Sequence, residues 1–120
     1  GNETADWSKC GDWNTSTFRN GRDTLKLVLD EFIKKPGQFE LKMVSDVSVT
    51  GTSIDSAVLL IDGTPASKYL VRDGWDRFYI SRTDQIGPNS STAIIFYIRS
   101  DNAVFQNRGR FIIRNREIVR

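Results

Sequence analysis

Short runs of alternating apolar and polar side chains recur along most of the chain, and this pattern constrains the fold more than any other feature. In the clearest run, apolar residues from Phe39 to Val49 alternate with charged and small polar residues. A period of two puts one side of a strand in the core and the other in solvent, as in antiparallel sheets. Further strands are expected at 57–61, 67–72, 77–82, 92–99 and 110–119. Strands at spacings of about 8 to 12 residues predict a mainly β fold, either an antiparallel sandwich or a small, partly open barrel.

Turn residues separate these runs. Gly51 and the small polar residues after it predict a turn, and Asp62-Gly63 predicts a tight hairpin. Residues 73–76 are expected to join two strands, and residues 83–91 are expected to form a loop. No linker or internal repeat interrupts the series, so residues 1–120 are interpreted as one domain.

The first part of the chain is less clear. Residues 1–23 are mostly polar and are predicted to be an N-terminal arm or loop, whose aromatic side chains pack back onto the domain. Apolar residues within 24–35 fall at helical spacing before Pro36-Gly37, which favours one N-terminal helix. The alternation of leucines from Leu25 to Leu29 leaves a strand as the alternative. A helix here would make α+β the alternative fold class.

The chain contains no histidine and a single cysteine, Cys10. This removes the most common general acid-base group, the Ser-His-Asp and Cys-His arrangements, and zinc sites built from histidine and cysteine. Asp73 and Asp76 lie three apart in a turn, where carboxylates more often cap the turn or pair with arginine than hydrolyse glycosides. We therefore expect a protein that is not an enzyme and uses no metal or cofactor.

Two observations bear on the compartment. One cysteine cannot form a disulfide within the chain, which is neutral between the cytosol and the periplasm. Acceptor sequences for N-glycosylation at Asn2, Asn14 and Asn89 favour an exported protein. We expect a secreted or periplasmic protein without a membrane span, because no run approaches about 18 consecutive apolar residues.

Arginines concentrate near the C-terminus. Residues 61–120 carry 10 Lys and Arg against 6 Asp and Glu, whereas residues 1–60 carry 7 against 9. Residues two apart in a strand share a face. Five arginines fall on even positions, namely Arg108, Arg110, Arg114, Arg116 and Arg120. Such a row suits phosphodiesters, sulfated glycans or an acidic protein, and the alternative is an edge strand whose charges prevent aggregation.

A second candidate surface surrounds the turn at residues 73–76. Tryptophan in such a turn is often half-exposed and is frequent at binding hot spots, which makes Trp75 a candidate contact. Arg72, Arg77 and Tyr79 flank it and would complete a cationic and aromatic platform. The alternative is that Trp75 packs beneath the hairpin as part of the core.

The segment AVLLIDGTPASKYLVRDGWDRFYI, residues 57–80, resembles the middle of the invasion-associated locus B proteins. That family consists of periplasmic β-sandwiches with a similar hairpin at the sequence IDG. The cysteines that the family usually carries after the hairpin are absent here. The resemblance implies an exported sandwich at most, and we assign no family from it.

These features predict a binding module that recognises a protein partner, in an inhibitory, adhesin-like or assembly role. Its contacts would be the arginine row and the Trp75 turn. The first alternative is binding of a polyanion or nucleic acid through the same arginines, and the second is binding of a carbohydrate by exposed Trp and Tyr. Unpaired strand edges would also allow a homodimer. Reversing the charges of Arg114 and Arg116 is expected to abolish binding and leave folding intact.

Overall fold

The protein is an antiparallel β-sandwich, as the sequence predicts. The computed structural model describes residues 7–46, 51–82, 89–100 and 107–116. The strands in these ranges are β1 (Ser8–Asn14), β2 (Arg22–Val28), β3 (Gly37–Ser45), β4 (Thr52–Ile61), β5 (Thr64–Pro65), β6 (Leu70–Arg72), β7 (Arg77–Arg82), β8 (Thr92–Ser100) and β9 (Arg108–Asn115). One sheet has five strands in the order β1-β9-β3-β7-β6, and the other has four in the order β2-β8-β4-β5. All pairings are antiparallel.

Three phenylalanines join the two sheets. Phe96 of β8 stacks on Phe111 of β9, with ring centroids 4.7 Å apart and ring planes 5° apart. The ring centroid of Phe78 in β7 lies 5.5 Å from the ring centroid of Phe96. All three are fully buried, and burying each one contributes about 1.5 to 3 kcal/mol. The inner faces of the sheets therefore meet at Phe96.

The predicted helix at 24–35 is wrong, because most of its first half is β2. This strand pairs with β8 along its whole length. Leu27 and Leu29 are buried, whereas Lys26 and Val28 face solvent. The helical spacing reflects one short turn, in which the Ile33 N–H donates to the Leu29 carbonyl at 2.9 Å. Pairing with β8 and burial of alternate residues outweigh the local helical preference.

The N-terminal arm is also more ordered than predicted. Residues 8–14 form β1 and pair with β9, with a β-bulge between Lys9 and Gly11. The loop prediction is therefore wrong for this part. Trp13 is buried, as expected for an aromatic side chain of the arm that packs onto the domain. Residues 1–6 lie outside the described ranges.

Other strand boundaries differ in detail. β4 begins at Thr52, five residues earlier than predicted, so the turn expected in the residues after Gly51 is wrong, because they belong to the strand. Ser67–Tyr69 is a 3-10 turn and only Leu70–Arg72 is a strand. The strand at 77–82 and the hairpin at Asp62-Gly63, where both φ angles are positive, are confirmed. Predicted features at 47–50, 83–88, 101–106 and 117–120 lie outside the described residues. No helix in the described ranges is long and apolar enough to cross a membrane.

Gly109 allows Trp13 to lie across the middle of the five-stranded sheet. The Trp13 indole Nε1–H donates to the Val44 carbonyl at 3.0 Å, one strand beyond its neighbour β9. A Cβ on Gly109 would lie 1.9 Å from the Val44 oxygen and 2.7 Å from the indole ring. No side chain can therefore replace this glycine without separating β9 from β3.

We expect Gly109→Ala to lower the free energy of unfolding by at least about 3 kcal/mol, because the methyl group overpacks both the core and the backbone. Chemical denaturation measures the loss. Gly63→Ala is the matched control, since its Cβ meets nothing within 4 Å and carries only the cost of a φ of +79°, about 1 to 2 kcal/mol. An equal loss in the two variants would contradict the packing of Trp13 over Gly109.

Candidate binding surface

The outer face of the five-stranded sheet is rich in cations, and we call it the basic face. Directly opposed residues on neighbouring strands share a face. The register aligns Arg114, Glu40 and Tyr79 across β9, β3 and β7. The cations of this face are Lys9, Lys42, Arg77, Arg108, Arg110, Arg114 and Arg116. Its carboxylates are Asp12, Glu40, Asp46 and, at the β6–β7 hairpin, Asp73.

The arginine row lies within the sheet and not at its edge. β9 pairs with β1 on one side and with β3 on the other. The alternative of an edge strand protected by its charges is therefore wrong, because β1 covers that edge. Ile112 interrupts the row on the same face, and Arg120 lies outside the described residues.

Glu40 is a buried carboxylate at the centre of the basic face. Its side chain is only 4% exposed. The Arg114 Nε and Nη2 groups lie 2.9 Å and 2.8 Å from Oε1, and Arg77 Nε makes an ionic contact of 3.2 Å with Oε2. A buried charge is tolerated only when it is paired and hydrogen-bonded. Arg114 and Arg77 therefore stabilise the fold as well as lining the face.

The environment of Arg77 keeps this side chain charged. The polar side chain of Tyr79, two residues along the same face, and the nearby Glu40 charge raise the pKa of Arg77 above its ordinary value. The Tyr79 hydroxyl also lies 3.3 Å from Asp73 Oδ2, to which it donates a hydrogen bond. The flank next to the Trp75 turn is thus a connected set of polar side chains.

The remaining arginines of the row have weaker contacts. Arg110 Nη1 lies 3.0 Å from Asp46 Oδ1, and Arg108 Nε lies 3.9 Å from Asp46 Oδ2. These side chains are well exposed, so each pair contributes about 0 to 1 kcal/mol. The Arg116 guanidinium lies 4.9 Å from the centre of the Tyr79 ring. These cations can reorient towards a partner at little cost.

Trp75 and Arg72 lie in one hairpin but have different roles. Trp75 is 51% exposed, so it does not pack beneath the hairpin as core. Arg72 donates to the carbonyls of Gly74 and Asp55, each at 2.8 Å, and to that of Ile54. It fastens the hairpin to β4 in the opposite sheet. Arg72 therefore has a structural role, and because its side chain is also exposed, its contact with a partner stays a prediction.

Sequence reasoning missed the lysines of the basic face. Lys42 opposes both Arg77 and Ile112, and Lys9 opposes Ile112 from the other side. The alternation after Phe39 already placed Lys42 on the solvent side of β3. What the sequence lacked was the strand order, which brings β3 between β9 and β7.

Groups that carry chemistry are sparse in the part of the chain that the structure describes. No cluster of three or more Cys, Asp or Glu side chains there could hold a metal ion. The half-buried Cys10 thiol donates to the Phe111 carbonyl at 3.5 Å. Burial raises the pKa of Cys10 from 9.0 to about 12, which suppresses the nucleophilic thiolate near neutral pH.

We expect Arg114→Ala to lower the free energy of unfolding by about 3 kcal/mol, because it leaves buried Glu40 with only one cation. Arg110→Ala is the matched control and should cost no more than about 1 kcal/mol, since its ion pair is exposed. Urea denaturation of both variants measures the difference. This corrects the expectation that Arg114 tolerates charge reversal, and equally small losses would refute the structural role of Arg114.

We expect Cys10 to react with iodoacetamide about a hundredfold or more slowly at pH 8 than it does in urea, because folding lowers the thiolate fraction. The raised pKa also sets how the rate of this reaction depends on pH. The rate for the folded protein should keep rising through pH 9 to 10, where an ordinary thiol levels off. A plateau near pH 9 would contradict burial of the thiol.

Comparison of the sequence with models of known protein families gives no match, and comparison with curated proteins finds no relative. The resemblance of residues 57–80 to one periplasmic family therefore remains confined to that segment. The function is argued below from the surfaces of the molecule.

Proposed function

We propose that this protein is a non-enzymatic binding module that recognises an acidic surface of a protein partner. The basic face is the contact surface, and Trp75 lies at its rim. The observation that carries the proposal is the excess of cations over carboxylates on one face of an ordered sheet. In keeping with the sequence, we place this role in the secreted or periplasmic compartment.

Charge complementarity is the first support. The cations of the basic face outnumber its carboxylates by 7 to 4 among the residues named above. A positive surface steers an acidic partner towards it and disfavours basic competitors. Arginine also matches carboxylates with a planar set of donors, which adds directional hydrogen bonds to the attraction.

Preorganisation is the second support. Glu40 fixes Arg114 and Arg77 in the free protein, so these side chains lose little freedom on binding. Ordering a long side chain at an interface otherwise costs about 0.5 to 1.5 kcal/mol. The exposed ring of Trp75 supplies an apolar anchor beside the charges, and Trp and Arg are the residues most enriched at interface hot spots.

Binding of nucleic acid is less well supported. Single-stranded nucleic acids stack their bases on free aromatic faces. The two aromatic rings of the basic face are already covered on one side, since Arg116 lies over Tyr79 at 4.9 Å and Arg114 lies over Trp7 at 4.4 Å. Polyanion and carbohydrate binding are therefore treated as outcomes of the test.

The test is selection of binders from a random peptide display library. We expect the selected peptides to be rich in Asp and Glu and to carry an apolar residue that packs against Trp75. Their Kd should rise about tenfold or more with Trp75→Ala and with the double variant Lys42→Glu/Arg108→Glu. Neither Lys42 nor Arg108, the two residues changed in that variant, forms an ion pair with Glu40. The matched control, Lys26→Glu/Lys35→Glu, has the same charge change outside the basic face and should bind as the wild type does.

Heparin, single-stranded DNA and a neutral oligosaccharide are measured in parallel at two salt concentrations. Tighter binding to heparin or DNA than to any peptide, with a steep salt dependence and no effect of Trp75→Ala, would replace the proposal by polyanion binding. Oligosaccharide binding that depends on Trp75 and not on the cations would replace it by carbohydrate binding. Selected peptides that are neutral or basic would also refute it.

A further inference from the structure

A tight turn gathers two arginines at the start of β2. Asn20 and Gly21 have φ values of 54° and 73°, as required at the two central residues of a type I′ hairpin turn. Arg19 and Arg22 flank this turn and exchange both backbone hydrogen bonds, at 2.9 Å and 3.1 Å. Their side chains therefore leave the turn on the same side.

A third arginine joins this pair on the outer face of the four-stranded sheet. Arg22 lies directly opposite Arg99 of β8. Both backbone polar groups of Arg22 point towards Arg19, so its pairing with Arg99 is of the type without hydrogen bonds. Such pairs bring Cα atoms to about 4.5 Å and hold side chains closest together. Arg19, Arg22 and Arg99 thus form one row that runs across neighbouring segments of the sheet.

The charges in this row are incompletely balanced. Arg99 Nη2 lies 3.1 Å from Asp55 Oδ1, at the β-bulge of β4. Within the described ranges, neither Arg19 nor Arg22 lies within 4.0 Å of a carboxylate oxygen. Like charges directly opposite each other on neighbouring strands are destabilising. A bound anion would offset this repulsion.

Arg19 and Arg22 line a groove, which we call the arginine groove. Its volume is about 400 Å³, and its lining consists of Thr17, Arg19, Arg22, Asp23, Thr24, Asp55, Tyr97 and Ile98. This volume falls within the range of about 300 to 1,000 Å³ for small-molecule sites. Tyr97 is 42% exposed and offers an apolar wall with a hydroxyl group. The groove therefore has room for a ring as well as for an oxyanion.

Both acidic side chains of the groove already have polar partners. Asp55 pairs with Arg99. Asp23 accepts hydrogen bonds of 2.8 Å from the Thr17 hydroxyl and from the Thr24 N–H. Hydrogen bonds to its carboxylate keep Asp23 turned to these groups. The guanidiniums of Arg19 and Arg22 are thus the charges of the groove without a carboxylate partner among the described residues. These two donors are forked and suit the oxygens of a tetrahedral anion.

We propose that the arginine groove binds a phosphate or sulfate ester of a sugar. Arg19 and Arg22 donate hydrogen bonds to the oxyanion, and Arg99 lies beside them with its charge balanced by Asp55. The Tyr97 ring packs against the sugar. This site lies on the opposite sheet from the basic face and does not depend on the function proposed for that face.

The experiment measures the Kd of glucose 6-phosphate, glucose 6-sulfate and glucose by calorimetry at low ionic strength. We expect one or both esters to bind and glucose to bind at least about tenfold more weakly. The variant Arg19→Gln/Arg22→Gln should weaken the ester by about tenfold or more. The matched control Lys26→Gln/Lys35→Gln removes the same charge outside the groove and should bind as the wild type does.

The two ester arms identify the source of the oxyanion. A preference for the phosphate ester, which carries the greater charge near neutral pH, assigns the site to phosphates, and a preference for the sulfate ester assigns it to sulfates. Thermal unfolding tests whether Arg19→Gln/Arg22→Gln is folded, and we expect its melting temperature to match or exceed that of the wild type because repulsion is removed. Absence of binding by both esters, or equal binding by the double variant, would overturn the proposal.

Discussion

The packing of Phe96 against Phe111 and Phe78 fixes what both outer faces present to solvent. Side chains alternate between the two sides of a strand, so burying Phe111 turns Arg110 outward on β9. A shift of one residue in the register would bring arginines into the core. The contact between the sheets therefore determines the chemistry of their outer surfaces, although no residue of that contact would touch a partner.

The basic face combines structural and binding roles in the same residues. Glu40 pairs with the guanidinium groups of Arg114 and Arg77 and holds them in place, which makes the centre of the face rigid. Among the described residues, the cations around this centre, such as the exposed Arg108 and the half-buried Lys42, have few or no such constraints. A partner would meet ordered charges at the centre and adjustable ones at the margin, an arrangement that lowers the entropy cost of binding.

The sequence predicts the sandwich because its central strands have long apolar alternation, as in β7 and β8. The prediction from the sequence fails for β1 and β2. These strands lie at sheet edges, where half-exposed strands carry many polar residues. Asn20-Gly21 is a strong hairpin signal that would have located Arg19 and Arg22. The ion pair between Glu40 and Arg114 could not be predicted from the sequence, because the two residues are 74 positions apart and meet only through the pairing of β3 with β9.

The two sheets present different surfaces for anions. One is the basic face, whose central arginines pair with Glu40, and the other is the groove of Arg19 and Arg22, which have no carboxylate partner among the described residues. The central claim is that the basic face receives the acidic partner. A nuclear magnetic resonance titration of the ¹⁵N-labelled protein with polyglutamate tests it most directly. We predict chemical-shift changes on β9, β3 and β7 and at residues 73–76. Changes confined to residues 19–24 and 97–99, or no changes at low salt, would contradict it.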